Sequence, residues 1–287
     1  MIGIVLAGGF GSRLFPTTQA LSKHLLPIYD KPMIYYPISL LMLAGITDIA
    51  FISTSRDLNS YKLLFGNGSD FGLDIEYIVQ DFPNGLPEAF ILTKDLIPDS
   101  GCCLVLGDNI LYGNGLSDKL KSIATNNIGS TVLGYQVRDP ERFGVVEIDS
   151  NGAVISLEEK PQYPKSNIAL TGLYFFDKDV SYHAEGLEKS LRGELEIVAL
   201  MEIYRQLDMF NVDVLGRGYT WLDTGTADSM LEASHFVQTL QHRQGLMVGC
   251  LEEISFMSGW ISAADVERRA KMLKSTQYGA YLSDLLL

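Results

Sequence analysis

No segment of this 287-residue chain approaches the ~20 consecutive apolar residues that a membrane span requires. No basic stretch with an apolar core precedes the first strand-like run, so no export signal is expected and the reading is a cytoplasmic protein without membrane contact. Cysteine is scarce. Cys102 and Cys103 are adjacent inside an apolar run and Cys250 lies far away, which excludes a disulfide framework or CxxC site and points to core packing. Positive charge is also short: 22 Lys and Arg face 35 Asp and Glu, a formal net charge of −13. Polyanion binding rests on clustered basic residues, so a nucleic-acid surface is excluded, while a free nucleotide remains possible. His183, His235 and His242 have no metal-ligand spacing and are assigned no chemistry. Internal repeats, low-complexity tracts and Pro/Ser-rich linkers are absent, which favours one unit with a C-terminal addition over two independent domains.

What is present is an ordinary globular composition, 47% hydrophobic and 20% charged, enough to bury a large core. Strand and helix patterns alternate through the first half. IGIVLA, DIAFIST (48–54), LDIEYIVQ (73–80) and CCLVLGD (102–108) read as strands, with helical patterns at 32–44, stopped by Gly45, at Leu58–Phe65 and at 86–96. That spacing predicts βαβ units, hence a largely parallel sheet with right-handed crossovers. After about residue 130, STVLGYQV, FGVVEID, AVISLEEK and IALTGLYFF follow one another closely, and DSNGA carries the Asn-Gly signal of a hairpin. Added strands, some antiparallel, are expected to cover a cleft. Helical patterns return at 194–206 and 226–244, flanking FNVDVLG and YTWLD. A further one spans 263–273, and the apolar end YGAYLSDLLL is expected to dock.

The chemistry-bearing stretch is LAGGFGSRLFPTT, residues 6–18. A buried strand followed by three glycines makes a tight turn with exposed backbone N–H groups, which suits an anion. A dinucleotide fingerprint fails here, because Leu14 stands where a third glycine belongs and the second strand ends in Ser53, Thr54 and Ser55 rather than an acid. That removes an NAD-dependent dehydrogenase. A Walker A loop fails too, since Ser12, Arg13 and Leu14 replace Gly-Lys-Ser/Thr. Between Leu6 and Lys31 the cations Arg13, Lys23 and Lys31 face only Asp30, a local positive island on an acidic molecule.

The run LAGGFGSRLFPTTQALSKHLLPIYDKPMIYYP resembles the opening signature of the sugar nucleotidyltransferases. The likeness continues in order through VLGDNILYG, DPERFGVVE, LEEKPQYPKSN, TGLYFFD, RGELEI and GRGYTWLDTGTADSMLEAS, nearly the whole chain. The resemblance implies an α/β fold with a Rossmann-like mixed, mainly parallel sheet flanked by helices, additional antiparallel strands and a C-terminal helical segment. It implies a nucleotidyltransferase domain over 1–240, with a nucleotide-binding half to about 130 and a sugar-binding half from 131. Residues 241–287 would then serve oligomer or regulatory contacts. The implied reaction joins dTTP and α-D-glucose 1-phosphate, with Mg²⁺, to give a nucleotide sugar and pyrophosphate, in an enzyme family where homotetramers are common. A UTP-dependent relative and a non-catalytic nucleotide-sugar sensor are the alternatives.

By the same resemblance, Gly8, Gly9, Gly11 and Ser12 cradle the triphosphate, Arg13 grips its outer phosphates and Lys23 and His24 sit beside it. Gln80 and Gly85 hold the pyrimidine edge; Gln80 offers both a donor and an acceptor. Lys160 binds the sugar phosphate and Glu159 the sugar hydroxyls, while Asn109, Gly144, Thr171, Tyr174 and Trp221 are sugar-side or cleft-lining positions. Asp108 and Asp223 each end an apolar run, so each is expected at the carboxyl edge of a strand, where two carboxylates make a hard oxygen site suited to Mg²⁺. Four departures from the family pattern stand out. His24 replaces the glutamine of KQLLP, with a surface histidine as the alternative. Pro87 and Glu88 replace Ala-Gln near the base loop, Asp81 and Phe82 replace Pro-Ser, and Met257 stands where many relatives carry an arginine of a regulatory nucleotide site.

Overall fold

The first apolar run forms β1 (Ile2–Leu6), whose Ile2 and Ile4 face one core and Val5 the other. The computed structural model describes residues 1–287, and β1 is followed by a short antiparallel ribbon of β2 (Pro27–Ile28) and β3 (Lys31–Pro32). That ribbon consumes the start of the expected first helix, so α1 (Tyr35–Leu43) begins three residues into the pattern. β4 (Asp48–Ser53), α2 (Leu58–Phe65) and β5 (Asp74–Val79) follow as the periodicity predicts. The next helix is shorter than its pattern. α3 (Glu88–Leu92) ends where the Thr93 hydroxyl donates to the Ala89 carbonyl at 2.8 Å, and Lys94–Leu96 tightens to a 3₁₀ turn.

β6 (Cys102–Leu106) leads directly into β7 (Asn109–Gly113) and α4 (Leu116–Asn126), two elements without a sequence assignment above. β8 (Ser130–Gln136), β9 (Gly144–Ile148), β10 (Val154–Glu159) and the fully buried β11 (Ile168–Phe176) come next. α5 (Val180–Glu185), α6 (Ile197–Gln206), β12 (Phe210–Val214), β13 (Tyr219–Asp223) and α7 (Ala227–Gln244) complete residues 1–244.

The central sheet runs β12–β8–β11–β6–β1–β4–β5, with β9 and β10 branching from the start of β11. β6, β1, β4 and β5 are parallel, as βαβ connections demand, and β8 pairs with β12 in parallel. β11 is antiparallel to β6, β8 and β9, and this one reversed strand joins the two halves. The β9–β10 hairpin turns at the Asn-Gly signal, where Asp149 Oδ1 accepts from the N–H groups of Asn151 and Ala153.

Helices cover both faces of the sheet. α1, α2 and α4 contribute Ile38, Leu41, Tyr61, Phe65 and Leu120 to one core; α3, α5 and α6 contribute Phe90, Val180, Leu200 and Tyr204 to the other. Cys102, Cys103 and Cys250 are all buried and free. The C-terminal residues form α8 (Leu251–Met257), α9 (Ala263–Met272) and α10 (Gln277–Asp284) around a small core of their own that includes Val266, Ala270 and Leu282. Buried Glu252 ties them together, accepting from Arg269 Nε at 3.1 Å and Tyr278 OH at 2.5 Å. No helix is long and apolar enough to cross a membrane.

Candidate active site

The glycine turn sits at the carboxyl end of β1. Gly9 and Gly11 take φ of +91° and +60°, the left-handed region that favours glycine, and none of the N–H groups of Gly8, Gly9, Phe10 and Gly11 donates to a carbonyl of the chain. These donors are available to an anion. A 3₁₀ turn over Ser12–Leu14 follows; it buries Leu14 and sends Arg13 into the cleft. Lys23 begins a later 3₁₀ turn, Lys23–Leu25, and its ammonium is hydrogen-bonded to the Asp108 carboxylate.

Asp108 lies just past β6, at the carboxyl edge of the parallel strands. Asp223 reaches the same point by another route, because β13 is not a strand of the central sheet. It pairs with β7 in a separate antiparallel ribbon whose register sets Asn109 opposite Asp223. Thr224 closes the ribbon, donating its N–H and hydroxyl to the Asp108 carbonyl at 3.1 and 2.7 Å. The two carboxylates differ in state. Burial pushes Asp108 up, but Lys23 and His24 beside it, with hydrogen bonds from Lys23 and Asn109, outweigh burial and bring it to about 2. Asp223 is raised, first by burial and then by the Asp108 charge, against the pull of Lys23, Arg13 and Arg142. A divalent cation between them would relieve that repulsion. Two carboxylates without a third His, Cys or acid fit an ion that keeps waters and takes phosphate oxygens, as Mg²⁺ does.

A cleft of about 550 Å³ opens beside this pair. Arg13, Arg142 and Lys160 provide its cations, and Asp108, Asp223 and Glu159 its carboxylates. Gly144 and Tyr174 line it from β9 and β11. Lys160 sits in a left-handed turn (φ +46°) at the end of β10; its N–H donates to the Phe143 carbonyl at 3.0 Å and its ammonium lies 3.3 Å from Glu159. Asn109 and Trp221 also border the cleft, yet their polar atoms are engaged within the protein. Trp221 Nε1 and Gly172 N donate to Asn109 Oδ1 at 2.5 and 3.2 Å, which turns Asn109 Nδ2 onto Asp108 Oδ1 at 3.0 Å. Gly172 is required there: a Cβ would lie 2.6 Å from Asn109 Nδ2.

Gln80 stands next to the glycine turn, and neither it nor Gly85 lines this cleft. Gln80 Oε1 lies 3.2 Å from the position a Gly8 Cβ would take. Gly85 (φ +107°) bridges to Leu195, whose carbonyl would be 2.0 Å from any Cβ at that position.

Two residues need correction. Thr171 does not line the cleft although its neighbours Leu170 and Gly172 do; it is 1% exposed, with Oγ1 unpartnered. His24 is neither a surface residue nor a cleft residue. It is 2% exposed, packed under Gly107, with Ser22 Oγ 3.1 Å from Nδ1, and burial ahead of the Lys23 charge lowers it to about 3. The neutral ring supports the backbone that carries Asp108.

Arg142 was not assigned from sequence. It lies 3.5 Å from Asp223 Oδ2 and 2.6 Å from Asp139, and its place between Asp139 and Glu141 reads as solvated charge in one dimension. Arg192, 3.6 Å from Glu159, was missed for the same reason. A second cavity of about 830 Å³ lies elsewhere, against α4 and α8, and includes Met257. Lys121 is the one cation of its lining, against Asp118 and Glu253, a charge balance unsuited to a triphosphate.

The chain matches the family model described as nucleotidyl transferase over residues 2–239. A protein from Neisseria gonorrhoeae named glucose-1-phosphate thymidylyltransferase is 53% identical, with 100% of this chain and 99% of that one covered. Proteins of the same name from Xanthomonas campestris pv. campestris (strain B100) and Mycobacterium tuberculosis (strain CDC 1551 / Oshkosh) are 51% and 49% identical, covering 99% and 100% of this chain and 96% and 99% of theirs. Among solved structures, a Bacillus anthracis protein assigned as a glucose-1-phosphate thymidylyltransferase, in complex with sucrose, superposes with a TM-score of 0.76 at 36% identity, over 82% of this chain and 95% of that one. A UDP-glucose pyrophosphorylase in complex with UDP-glucose, at 21% identity and a TM-score of 0.73 over 83% of this chain and 98% of that one, shares the fold alone. The match over residues 2–239 and the full-length relatives near half identity make this chain a member of the nucleotidyl transferase family, among proteins named glucose-1-phosphate thymidylyltransferase.

Proposed function

We propose that the chain transfers a thymidylyl group from dTTP to α-D-glucose 1-phosphate, giving dTDP-glucose and pyrophosphate. The observation that carries this reading is the convergence of Arg13, Lys23 and Arg142 on Asp108 and Asp223 beside a glycine turn with free N–H groups. A phosphate oxygen of the sugar attacks the α-phosphorus, and the bond from that phosphorus to the bridging oxygen of pyrophosphate breaks. Two unit charges 4 Å apart repel by about 4 kcal/mol at an effective dielectric near 20, and several such pairs meet in this step. Fixed cations that hold the approach in line are therefore the main catalytic requirement, and no covalent nucleophile is needed.

In this reading the turn at Gly8, Gly9, Gly11 and Ser12 cradles the triphosphate, and Arg13 and Lys23 take its outer charge and that of the leaving pyrophosphate. Lys160 neutralises the sugar phosphate, Glu159 accepts from sugar hydroxyls, and Gly144 and Tyr174 shape the sugar side. Arg142 joins them as a cation beside Asp223. Gln80 and the Gly85 backbone hold the base, while Asn109, Trp221 and His24 position Asp108. Asp108 and Asp223 would hold Mg²⁺, which when bound neutralises charge on the phosphate oxygens where the substrates meet. The nucleotide half falls within residues 1–130 and the sugar half within 131–240, with 241–287 as a contact segment. A cytoplasmic homotetramer completes the reading, and sedimentation of the purified protein checks the assembly.

Initial rates at equal subsaturating dTTP and UTP test the assignment. Faster dTDP-glucose formation supports it; a clear preference for UTP overturns the thymidylyl reading, since the two bases differ by one methyl worth about 1 kcal/mol in an apolar pocket.

A further inference from the structure

The two acids at the reaction centre are already matched by cations of the chain. Lys23 holds Asp108 Oδ2, and Asn109 Nδ2 donates to Asp108 Oδ1 at 3.0 Å, so both oxygens of that carboxylate are engaged. Asp223 faces two guanidinium groups. Arg142 Nη2 lies 3.5 Å from its Oδ2, and the position a Gly225 Cβ would take lies 3.3 Å from its Oδ1 and 3.4 Å from Arg13 Nη1. Counting Asp139, to which Arg142 Nη1 donates at 2.6 Å, three carboxylates meet three cations and the cluster is formally neutral. A divalent cation gains little from carboxylates whose charge is balanced at such short range. Among the three cations only Arg142 is also bonded to a second acid. It ends a 3₁₀ turn over Pro140–Arg142, its side chain is 43% exposed, and Asp139 and the Phe143 ring, 5.1 Å from the guanidinium carbon, hold it independently of Asp223.

We infer that Arg142 is an internal counter-ion that guards the metal site: by pairing with Asp223 it keeps the two carboxylates a poor ligand for divalent cations until substrate phosphates enter the cleft. The inference rests on the reading of Asp108 and Asp223 as the Mg²⁺ pair, and not on which base the nucleotide carries. A triphosphate at the glycine turn gives Arg13 and Lys23 new partners and makes the site negative. Arg142 can then give up Asp223 and keep Asp139, so no charge is left unpaired by the exchange. The consequence is one of order. The carboxylates hold a divalent cation firmly only together with phosphate, and ions in solution do not saturate them beforehand.

The test is titration of the whole chain with Mn²⁺, a cation suited to the same oxygen ligands, without nucleotide or sugar phosphate, read from the electron paramagnetic resonance signal of the free ion. Arg142→Met is expected to bind Mn²⁺ roughly tenfold or more tightly than the wild type, and Arg142→Gln to do the same. Asp223→Asn added to Arg142→Met should abolish the gain, which locates the ion. Arg192→Met removes an equal charge from the Glu159 side of the cleft and should change the affinity by less than about threefold, which separates direct pairing from the general field. Circular dichroism checks that each variant is folded. Equal affinity in the wild type and both Arg142 variants, lost on Asp223→Asn, overturns the guard and leaves the metal pair standing. An equal gain from Arg192→Met overturns the guard too. Binding that Asp223→Asn leaves untouched in every background overturns the guard and the metal assignment together.

Discussion

Replacing Lys23 with methionine should cost both stability and activity, and the stability loss should depend on pH in one direction. Lys23 is the first group that holds the Asp108 charge against burial, and Asp108 stands at about 2 instead of its ordinary 3.8. That difference corresponds to roughly 2–3 kcal/mol favouring the charged form. Without the ammonium, burial becomes the dominant influence and the carboxyl rises above its ordinary range. Breaking a buried ion pair typically costs 3–5 kcal/mol, and here the side chains retain 16% and 13% exposure, so about 3 kcal/mol is the expected loss. For a chain of this size that corresponds to about 6–12 °C in Tm.

A depressed carboxyl contributes stability above its unfolded pKa and loses it only as pH falls through the folded value near 2. In Lys23→Met the raised carboxyl is penalised most at neutral pH and relieved on protonation. The Tm gap between the two proteins should therefore narrow from pH 7.5 to pH 4.5, measured by circular dichroism without ligands. A gap below about 1 °C, or one that stays constant with pH, refutes the reasoning.

Asp223→Asn should abolish pyrophosphate release by at least roughly 100-fold while dTTP binding, followed by equilibrium dialysis, persists. Gly172→Ala puts a methyl 2.6 Å from Asn109 Nδ2, which Trp221 prevents from withdrawing; kcat should fall about tenfold or more with the fold intact by circular dichroism. His24 is held neutral, at about 3, so its contribution to stability is present above the unfolded value near 6.5 and is lost as pH falls toward 3. Wild-type stability should drop by up to about 1.4 kcal/mol per pH unit across that window, and His24→Gln should flatten the dependence; equal unfolding free energies from urea titrations at pH 7 and 5 would count against a neutral buried ring.

Local patterns proved most informative where one short-range rule was at work. Alternation, β-branching and turn residues marked β1, β4, β5 and β6, and the Asn-Gly signal marked the β9–β10 hairpin, because each depends on neighbours within a few residues. The same rule overextended two helices. At Pro32 a strand ribbon holds the backbone, and at Thr93 the hydroxyl joins the backbone N–H on the Ala89 carbonyl where α3 stops. β7 escaped notice because Asn109–Gly113 is short and becomes a strand only by pairing with the distant β13. Trp221 and Asn109 read singly as sugar-side or cleft-lining positions; they do border the cleft, and their mutual hydrogen bond also turns Asn109 onto Asp108.

The sequence by itself determined the alternation of strands and helices, the glycine turn with its cations and the pair of acids, since composition and spacing are local quantities. Tertiary structure alone decided which groups meet. The β7–β13 register sets Asp223 beside Asp108, burial makes His24 a neutral prop, and Arg142 swings from an apparent surface run into the cleft. Charge state and hydrogen-bond polarity follow from these long-range contacts, because desolvation and Coulomb interactions act through space rather than along the chain.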